Sequence, residues 1–171
     1  MGVEVFNVRQ TPLKDEDIRS IVEIECHPEV RKWLTEYVDE NVENEFKSYK
    51  KFFRNLPRNK EVEVLVAKFN GQVIGFLALW RLGRYMEHVA SIGVSVHPDY
   101  WGKGVATCLA KSAIDLAREK GFKRLEIETL AENRGMREVA EKLGFRLEGI
   151  RKNRIQKDGV YHDEVLYSLL L

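Results

Sequence analysis

The sequence contains little cysteine and no cluster of histidines. Its two cysteines, Cys26 and Cys108, lie far apart and form no CxxC pair, so neither a disulfide framework nor a zinc knuckle is predicted. The four histidines are scattered and lack the HExxH spacing of a metalloprotease. We therefore expect a reducing compartment and no metal site.

Net charge and long apolar runs are also lacking. The 28 Lys and Arg residues almost balance the 27 Asp and Glu residues, whereas a nucleic-acid-binding domain normally carries a basic excess. The longest apolar run, Val73–Trp80, is far shorter than the roughly 20 residues of a membrane-spanning helix. We expect a cytoplasmic protein with no nucleic-acid or membrane partner, and we leave a homodimer open.

The order of the apolar patterns predicts a single α/β domain over residues 1–171. Two β-branched runs joined by Asn70-Gly71 predict a hairpin, and strand and helix patterns alternate after it. Hairpins combined with strand–helix–strand crossovers predict a mixed, mostly antiparallel sheet flanked by helices. The predicted strands are Val3–Arg9, Glu61–Phe69, Gln72–Trp80, His88–His97, Lys123–Thr129, Phe145–Arg151 and Val160–Leu170, and the predicted helices are Lys14–Glu25, Asn41–Leu56, Gly104–Lys120 and Asn133–Leu143.

A glycine-containing loop, His97–Thr107, joins a predicted strand to a predicted helix. Gly102 and Gly104 keep side chains away from the backbone N–H groups, and the positive end of the helix dipole lies behind them. The helix has no acid in its first turns, while Lys103 and Lys111 add positive charge. These features predict a site for an anion such as a pyrophosphate, with a simple strand-to-helix turn as the alternative.

The common nucleotide-binding loops do not match this segment. It lacks the GxxxxGK[ST] of a Walker loop, and Thr107 stands where a dinucleotide-binding loop has its third glycine. Instead, Trp101–Ala106 is similar to the Gln/Arg-x-x-Gly-x-Gly/Ala signature of the GNAT superfamily of acetyl-CoA-dependent N-acetyltransferases, with Trp101 as a departure. Asn133–Phe145 resembles a second block of that family.

The resemblance extends from about Gly71 to the C-terminus. It implies the acyl-CoA N-acyltransferase type of fold, and it is strongest with the ribosomal-protein and broad-specificity amine acetyltransferases. The cofactor implied is acetyl-CoA, with CoA as product. In such proteins the pyrophosphate lies on the loop amides, and the peptide-like pantetheine arm pairs with exposed strand backbone. The implied cofactor-binding residues are Val94, Ser95, Val96, Trp101, Gly102, Lys103, Gly104, Val105, Ala106, Thr107, Asn133 and Arg137.

Two of these residues have an alternative interpretation. Asn133 is equally compatible with a simple helix N-cap, and Arg137 with a solvated surface position. The reaction implied is direct attack of a primary amine, from a protein N-terminus or a small molecule, on the thioester.

The usual catalytic positions of the family are altered in this sequence. Ser91 stands where many relatives carry a catalytic Glu, Ala140 where many carry an acidic Tyr, and Met136 where the related subset has a Ser. The candidate catalytic residues are therefore Glu87, Ser91 and Glu128, each with a solvated or salt-bridged strand residue as the alternative. These losses leave a non-catalytic CoA-binding regulatory or sensor domain as the alternative function.

The acceptor site has weaker signals in the sequence. The acidic run from Glu36 to Glu45 would attract a cationic amine, although such a run is commonly a solvated helix face. Trp33, Tyr37, Trp80 and Tyr85 are candidates for an acceptor cleft, with core packing as the preferred interpretation of Trp80.

Overall fold

The computed structural model, which describes residues 1–171, contains seven strands and five α-helices. The strands are β1 (Glu4–Asn7), β2 (Val62–Phe69), β3 (Gln72–Arg81), β4 (Val89–Val96), β5 (Arg124–Leu130), β6 (Arg146–Lys157) and β7 (Val160–Leu170). The helices are α1 (Asp15–Cys26), α2 (Pro28–Arg31), α3 (Val42–Asn55), α4 (Val105–Glu119) and α5 (Arg134–Lys142).

All seven strands belong to one sheet, in the order β1-β2-β3-β4-β5-β7-β6. Only β4 and β5 are parallel, because helix α4 carries the chain back between them, and every other pair is antiparallel. The predicted mixed, mostly antiparallel sheet is therefore confirmed. The parallel pairing runs only from Val89 opposite Arg124 to Ser91 opposite Glu126, so the two strands part beyond that point.

The two faces of the sheet are covered by different helices. Ile92 and Val96 of β4 and Ile127 of β5 belong to the core beneath α4 and α5, and we call this side the α4 face. Because side chains alternate along a strand, Ser95 of β4 and Glu128 of β5 point to the opposite side, which we call the α1 face. Helices α1 and α3 lie on the α1 face.

Local signals explain where the helices of the α1 face begin. Helix α1 has three acids in its first turn, which complement its dipole. Helix α3 begins after Asn41, whose side-chain oxygen accepts hydrogen bonds from the N–H groups of Glu43 and Asn44. Ile21 and Ile24 of α1 are almost completely buried, and burial of a side chain of this size is worth about 1.5–3 kcal/mol.

Two features of the fold differ from the sequence prediction. Strand β6 continues to Lys157 instead of ending at Arg151, but its pairing with β7 shifts register twice, and Asn153 has a positive φ of 52°. Such irregularities break the alternation by which a strand is recognised. The four-residue helix α2 was not predicted because it is too short to show a period, although Pro28 at its first turn favours a helix start.

Candidate active site

The loop between β4 and α4 is anchored to the end of β4 by side chains. The indole N–H of Trp101 donates to the carbonyl of Val96 at 2.7 Å. His97 Nδ1 accepts from the N–H of Asp99 at 3.2 Å, which caps the short 3₁₀ turn Pro98–Tyr100. The departure from the family signature at Trp101 thus has a structural consequence, because the ring fixes the start of the loop.

The two loop glycines are required by the backbone conformation. Gly102 has a φ of 70° and Gly104 a φ of 81°, both in the left-handed region that costs most other residues about 1–2 kcal/mol. A Cβ built on either glycine would meet no atom within 4 Å. The space beside these two residues is therefore open, which leaves the neighbouring backbone accessible.

The amides of this loop lack partners within the protein. The backbone N–H groups of Gly102–Thr107 donate to no protein acceptor, and the first hydrogen bond at the start of α4 runs from Cys108 N to Gly104 O at 2.9 Å. Helix α4 has no side-chain cap and no acid in its first turn. An anion is the group that completes such a helix end, so the loop fits the diphosphate of CoA.

A backbone edge opens next to this loop. Val94, Ser95 and Val96 pair with β3 on one side but have no partner on β5, since the parallel pairing stops at Ser91. Exposed strand backbone can pair with a peptide-like ligand. The segment predicted to receive the pantetheine arm therefore borders the opening between the two strands.

The other two predicted cofactor residues have partners of their own. Asn133 accepts from Met136 N–H at 3.2 Å and donates to Thr129 Oγ1 at 3.0 Å, as a helix N-cap does. Arg137 donates from Nε to Tyr167 Oη at 3.1 Å and from Nη1 to the carbonyl of Ala131 at 3.0 Å. Cofactor contacts by both residues stay predictions.

The structure separates the three candidate catalytic residues. Ser91 is half-buried at the last parallel pair, and Glu128 lies two residues beyond its partner Glu126 on the same α1 face. Glu87 is exposed before β4. Glu87 precedes β4, at the end of the β4–β5 pair away from the opening, so the fold places Ser91 and Glu128 at the opening but not Glu87.

Glu128 has a cationic partner. Its carboxylate lies 3.1 Å from Nη1 of Arg151, which also contacts the buried Glu164 at 2.8 Å. The positions of the usual acid offer no replacement, since Ala140 is fully buried and Met136 packs against the core. No phenol or hydroxyl stands at either position to protonate the leaving thiolate.

Sequence reasoning missed one carboxylate that faces β4 from α1. Glu25 Oε2 accepts a hydrogen bond from Tyr49 Oη at 2.5 Å, and Oε1 accepts one from Ser95 Oγ at 3.0 Å. Burial raises the pKa of Glu25, although the two hydrogen bonds oppose that shift. Its spacing was a usable signal, because Glu25 stands seven residues after Ile18 and four after Ile21, on the apolar stripe of the helix.

The aromatic candidates for the acceptor cleft fall into different places. Trp80 is not a core residue, so the preferred interpretation was wrong. It is 40% exposed, and a Cβ on Gly93 would lie 3.3 Å from its ring, so the indole covers a glycine on the α1 face. Tyr37 and Tyr85 are exposed. Trp33 lines a cleft of about 340 Å³ between α2 and the β6–β7 hairpin.

The acidic run before and within α3 mostly serves local structure. Glu43 pairs with Arg19 at 2.7 Å, and Glu45 accepts from the backbone N–H of Asp39 at 2.9 Å. Glu40 lies 3.3 Å from a nitrogen of Arg31. Much of the run is thus bound to other parts of the protein. None of the helices combines the length and apolarity needed to cross a membrane.

Comparison with known proteins identifies the family. The model of the acetyltransferase (GNAT) domain matches residues 8–146. The chain belongs to the GNAT acetyltransferase family. It is an acetyl-CoA-dependent N-acetyltransferase, which confirms the predicted enzyme class and cofactor and decides against the sensor alternative.

Individual relatives of this GNAT enzyme cover most of its length. A Bacillus subtilis protein that carries the provisional name of a ribosomal protein bS18 alanine N-acetyltransferase is 26% identical over 84% of each chain. Spermidine N(1)-acetyltransferase of Escherichia coli is 27% identical over 93% of this chain and 83% of its own. L-amino acid N-acetyltransferase AaaT of Escherichia coli is 30% identical over 60% of this chain and 64% of its own.

Solved structures agree with the fold. The ribosomal-protein-alanine N-acetyltransferase of Brucella melitensis superposes with a TM-score of 0.81 at 21% identity, covering 98% of this chain and 99% of that one. The provisionally assigned acetyltransferase yncA of Salmonella typhimurium, solved with its cofactor acetyl-CoA, gives 0.80 at 22% identity over 100% and 95%. The predicted GNAT fold is confirmed.

Proposed function

We propose that this GNAT enzyme acetylates a primary amine, either a protein N-terminus or a small-molecule amine, by direct attack on acetyl-CoA. The observation that carries the proposal is the opening between β4 and β5. Beyond Ser91 these strands part, and the α1 face beside the opening presents the carboxylates of Glu25 and Glu128. The names of the relatives span a ribosomal protein, spermidine and amino acids, so the amine is the shared feature.

The residues that would hold acetyl-CoA lie in the loop between β4 and α4 and on the unpaired backbone edge of β4. The free amides of Gly102–Thr107 would bind the diphosphate, and the backbone of Val94–Val96 would pair with the pantetheine arm. A bound acetyl-CoA supplies the activated acetyl thioester. Backbone N–H groups of β4 at the opening are suited to stabilise the charge that develops on the carbonyl oxygen.

The altered catalytic positions are chemically tolerable. A thiol of ordinary pKa near 8.5 is a fairly good leaving group as the thiolate, so the missing acid at Ala140 costs little. Removal of a proton from the amine is the more demanding step, because an alkyl ammonium of pKa near 10 is only about one thousandth neutral at pH 7. Ser91 and Glu128, which border the opening, are proposed contacts of the acceptor.

A panel of acceptors tests the proposal. Purified protein and acetyl-CoA are mixed with an alanine-initiated peptide, spermidine or free alanine, and thiol release is followed together with the mass of the acceptor. We expect acetylation of at least one primary amine, with one thiol released per amide formed. The same peptide with a blocked N-terminus is the control. Thiol release that is equal with and without every amine would contradict the proposal.

A further inference from the structure

We propose that the carboxylate of Glu25 contacts the ammonium group of the acceptor and takes its proton, which makes Glu25 a catalytic residue. This inference rests on the proposed function, because it concerns the same acetyl transfer to a primary amine. It assigns to a residue of α1 the step for which the usual strand position offers only Ser91.

The position of Glu25 follows from its contact with β4. Ser95 belongs to the stretch of β4 that has no partner on β5, and its side chain points to the α1 face. The hydrogen bond of 3.0 Å from Ser95 Oγ therefore places the Glu25 carboxylate beside the opening between β4 and β5. The acceptor amine must approach the thioester on this face, since α4 covers the other one.

Glu25, which is half-buried, lacks the counter-charge that the buried carboxylates have. Asp17, Glu63 and Glu164 each have a lysine or arginine nitrogen within 2.9 Å. No cationic side chain lies within 4.0 Å of Glu25, whose two oxygens each accept one hydroxyl hydrogen bond. Each carboxylate oxygen has a further lone pair. A partly buried charge is stabilised by a partner of opposite charge, and an ammonium ion has the complementary charge and donors.

The surroundings of Glu25 suit a group that must accept a proton. Burial raises its pKa first of all, and the negative charges of Glu36 and Glu45 act in the same direction. The hydroxyls of Tyr49 and Ser95 lower it. The net effect raises the pKa of Glu25 towards neutral pH, and a general base is most effective when its pKa lies near the pH of the reaction.

The proton and the bonds can be followed through the reaction. One N–H proton of the ammonium passes to the Glu25 carboxylate, and the freed nitrogen lone pair forms the C–N bond with the acetyl carbon. The C–S bond breaks and its electron pair leaves on sulfur. The second N–H proton goes to that thiolate, so the products are the amide and CoA, and Glu25 then releases its proton to water.

Glu128 is the natural competitor for this role. It lies on the same face, but its carboxylate is 3.1 Å from Nη1 of Arg151. Protonation of Glu128 would give up that ion pair. Glu25 loses no ion pair when it is protonated, and this difference favours Glu25.

The pH profile of kcat/KM for the Glu25→Gln variant is the decisive measurement. With Glu25 present, the enzyme can bind the protonated amine and remove its proton. In that case kcat/KM reaches a plateau once the Glu25 carboxylate is ionised. Without it, the reaction needs an amine already neutral in solution. For an α-amine of pKa near 8, we expect a loss of about 100-fold at pH 6 and about 10-fold at pH 7 that disappears above pH 9.

Two matched variants complete the experiment, with the alanine-initiated peptide and spermidine as probes. Glu23→Gln makes the same change on the exposed side of α1 and should keep the wild-type profile. Glu128→Gln alters a proposed contact of the acceptor, so it should change kcat/KM by the same factor at every pH and leave the shape of the profile unchanged. The assignment is overturned if E25Q keeps the wild-type profile or loses the same factor at every pH. It is also overturned if the pH-dependent loss expected for E25Q is found in E128Q instead.

A second pair of variants tests the assignment if E25Q does not fold. Tyr49→Phe and Ser95→Ala each remove a hydrogen bond that stabilises the carboxylate but leave the carboxylate in place. Both should move the acid limb of kcat/KM to higher pH, whereas a merely structural role would leave its midpoint unchanged. An unmoved midpoint in both variants overturns the proposal.

Measurements of acetyl-CoA binding and of amine acetylation distinguish a failure of the Glu25 assignment from a failure of the proposed function. E25Q should bind acetyl-CoA with unchanged affinity in calorimetry, because Glu25 lies outside the amide loop. If wild-type protein acetylates no amine of the panel, the proposed function and this inference both fail. If wild type is active and E25Q shows no pH-dependent loss, only the role of Glu25 fails.

Discussion

Two glycines near the cofactor loop are glycines for different physical reasons. At Gly104 the backbone has a φ of 81° and the space for a side chain is open, so conformation alone requires glycine. At Gly75 a Cβ would lie 3.1 Å from the carbonyl oxygen of Ser95 and 3.3 Å from the Val105 side chain. Gly75 therefore lets the first turn of α4 lie close to β3.

The open space at Gly104 yields a prediction about binding. Gly104→Asp should abolish acetyl-CoA binding, because it places a negative charge beside the amides of Gly102–Thr107 that would hold the diphosphate. Gly104→Ala should lose about 1 kcal/mol of stability from its backbone alone. Calorimetry with acetyl-CoA and urea unfolding measure the two effects.

The control for this prediction is Gly121→Ala. Gly121 has a φ of 80° at the C-terminal end of α4, so the alanine should cost similar stability while acetyl-CoA affinity stays at the wild-type value. Tight binding by a folded G104D protein would remove the loop from the cofactor site.

At the scale of elements, a lysine joins the late hairpin to the chain after α2. Lys157 Nζ donates to the carbonyls of Arg31, Lys32 and Leu34 at 2.6, 3.1 and 2.9 Å. Burial lowers the pKa of this lysine. Lys157 also lines the cleft beside Trp33, a candidate residue of the acceptor cleft, so the contact joins the two sides of that cleft.

Lys157→Met tests this connection. Hydrogen bonds from a charged donor are worth about 1.5–3 kcal/mol, and we expect a loss of stability of about 2 kcal/mol in urea unfolding. The acceptor KM should rise because the cleft is less well held, while acetyl-CoA affinity is unchanged. Lys152→Met, which removes an exposed ion pair from the same strand, should cost under about 1 kcal/mol. Equal losses in the two variants would contradict the prediction.

The elements differ in how well the sequence predicts them. The hairpin of β2 and β3 was predictable because Asn70-Gly71 supplies a turn signal that depends on two neighbouring residues. Strand β6 was predicted too short because its irregular pairing depends on β7. A local pattern cannot show which residues of a strand the partner leaves unpaired.

At the scale of the whole molecule, the net charge is close to zero, but individual charged side chains form strong ion pairs. Arg124 donates to both oxygens of Glu148 at 2.8 and 2.5 Å, and Ser168 adds a third hydrogen bond. These bonds join β5, β6 and β7. The Arg124 hydrogen bonds lower the pKa of Glu148 to about 2.

A pH dependence of stability follows from Glu148. Its pKa in the folded protein lies below the unfolded value near 4.3. Its contribution is therefore complete above about pH 4.3 and is lost as the pH falls towards 2. In urea unfolding, wild type should be more stable than Glu148→Gln at pH 7, and the difference should vanish near pH 2. Glu4→Gln, an exposed carboxylate without a cationic partner, should show no such change, and a pH-independent difference for E148Q would refute the prediction.

The sequence by itself determined the features that depend on near neighbours. These are the order of elements, the glycine loop ahead of α4 and the GNAT signature from Trp101 to Ala106, because turn, cap and loop chemistry act over a few residues. The tertiary structure decided which carboxylates lie beside the opening of the sheet. Glu25 and Ser95 are 70 residues apart, and only the packing of α1 on β4 leaves the half-buried Glu25 without a cation while Glu128 has one. Burial and charge pairing arise from contacts between distant segments, so no local pattern could reveal them.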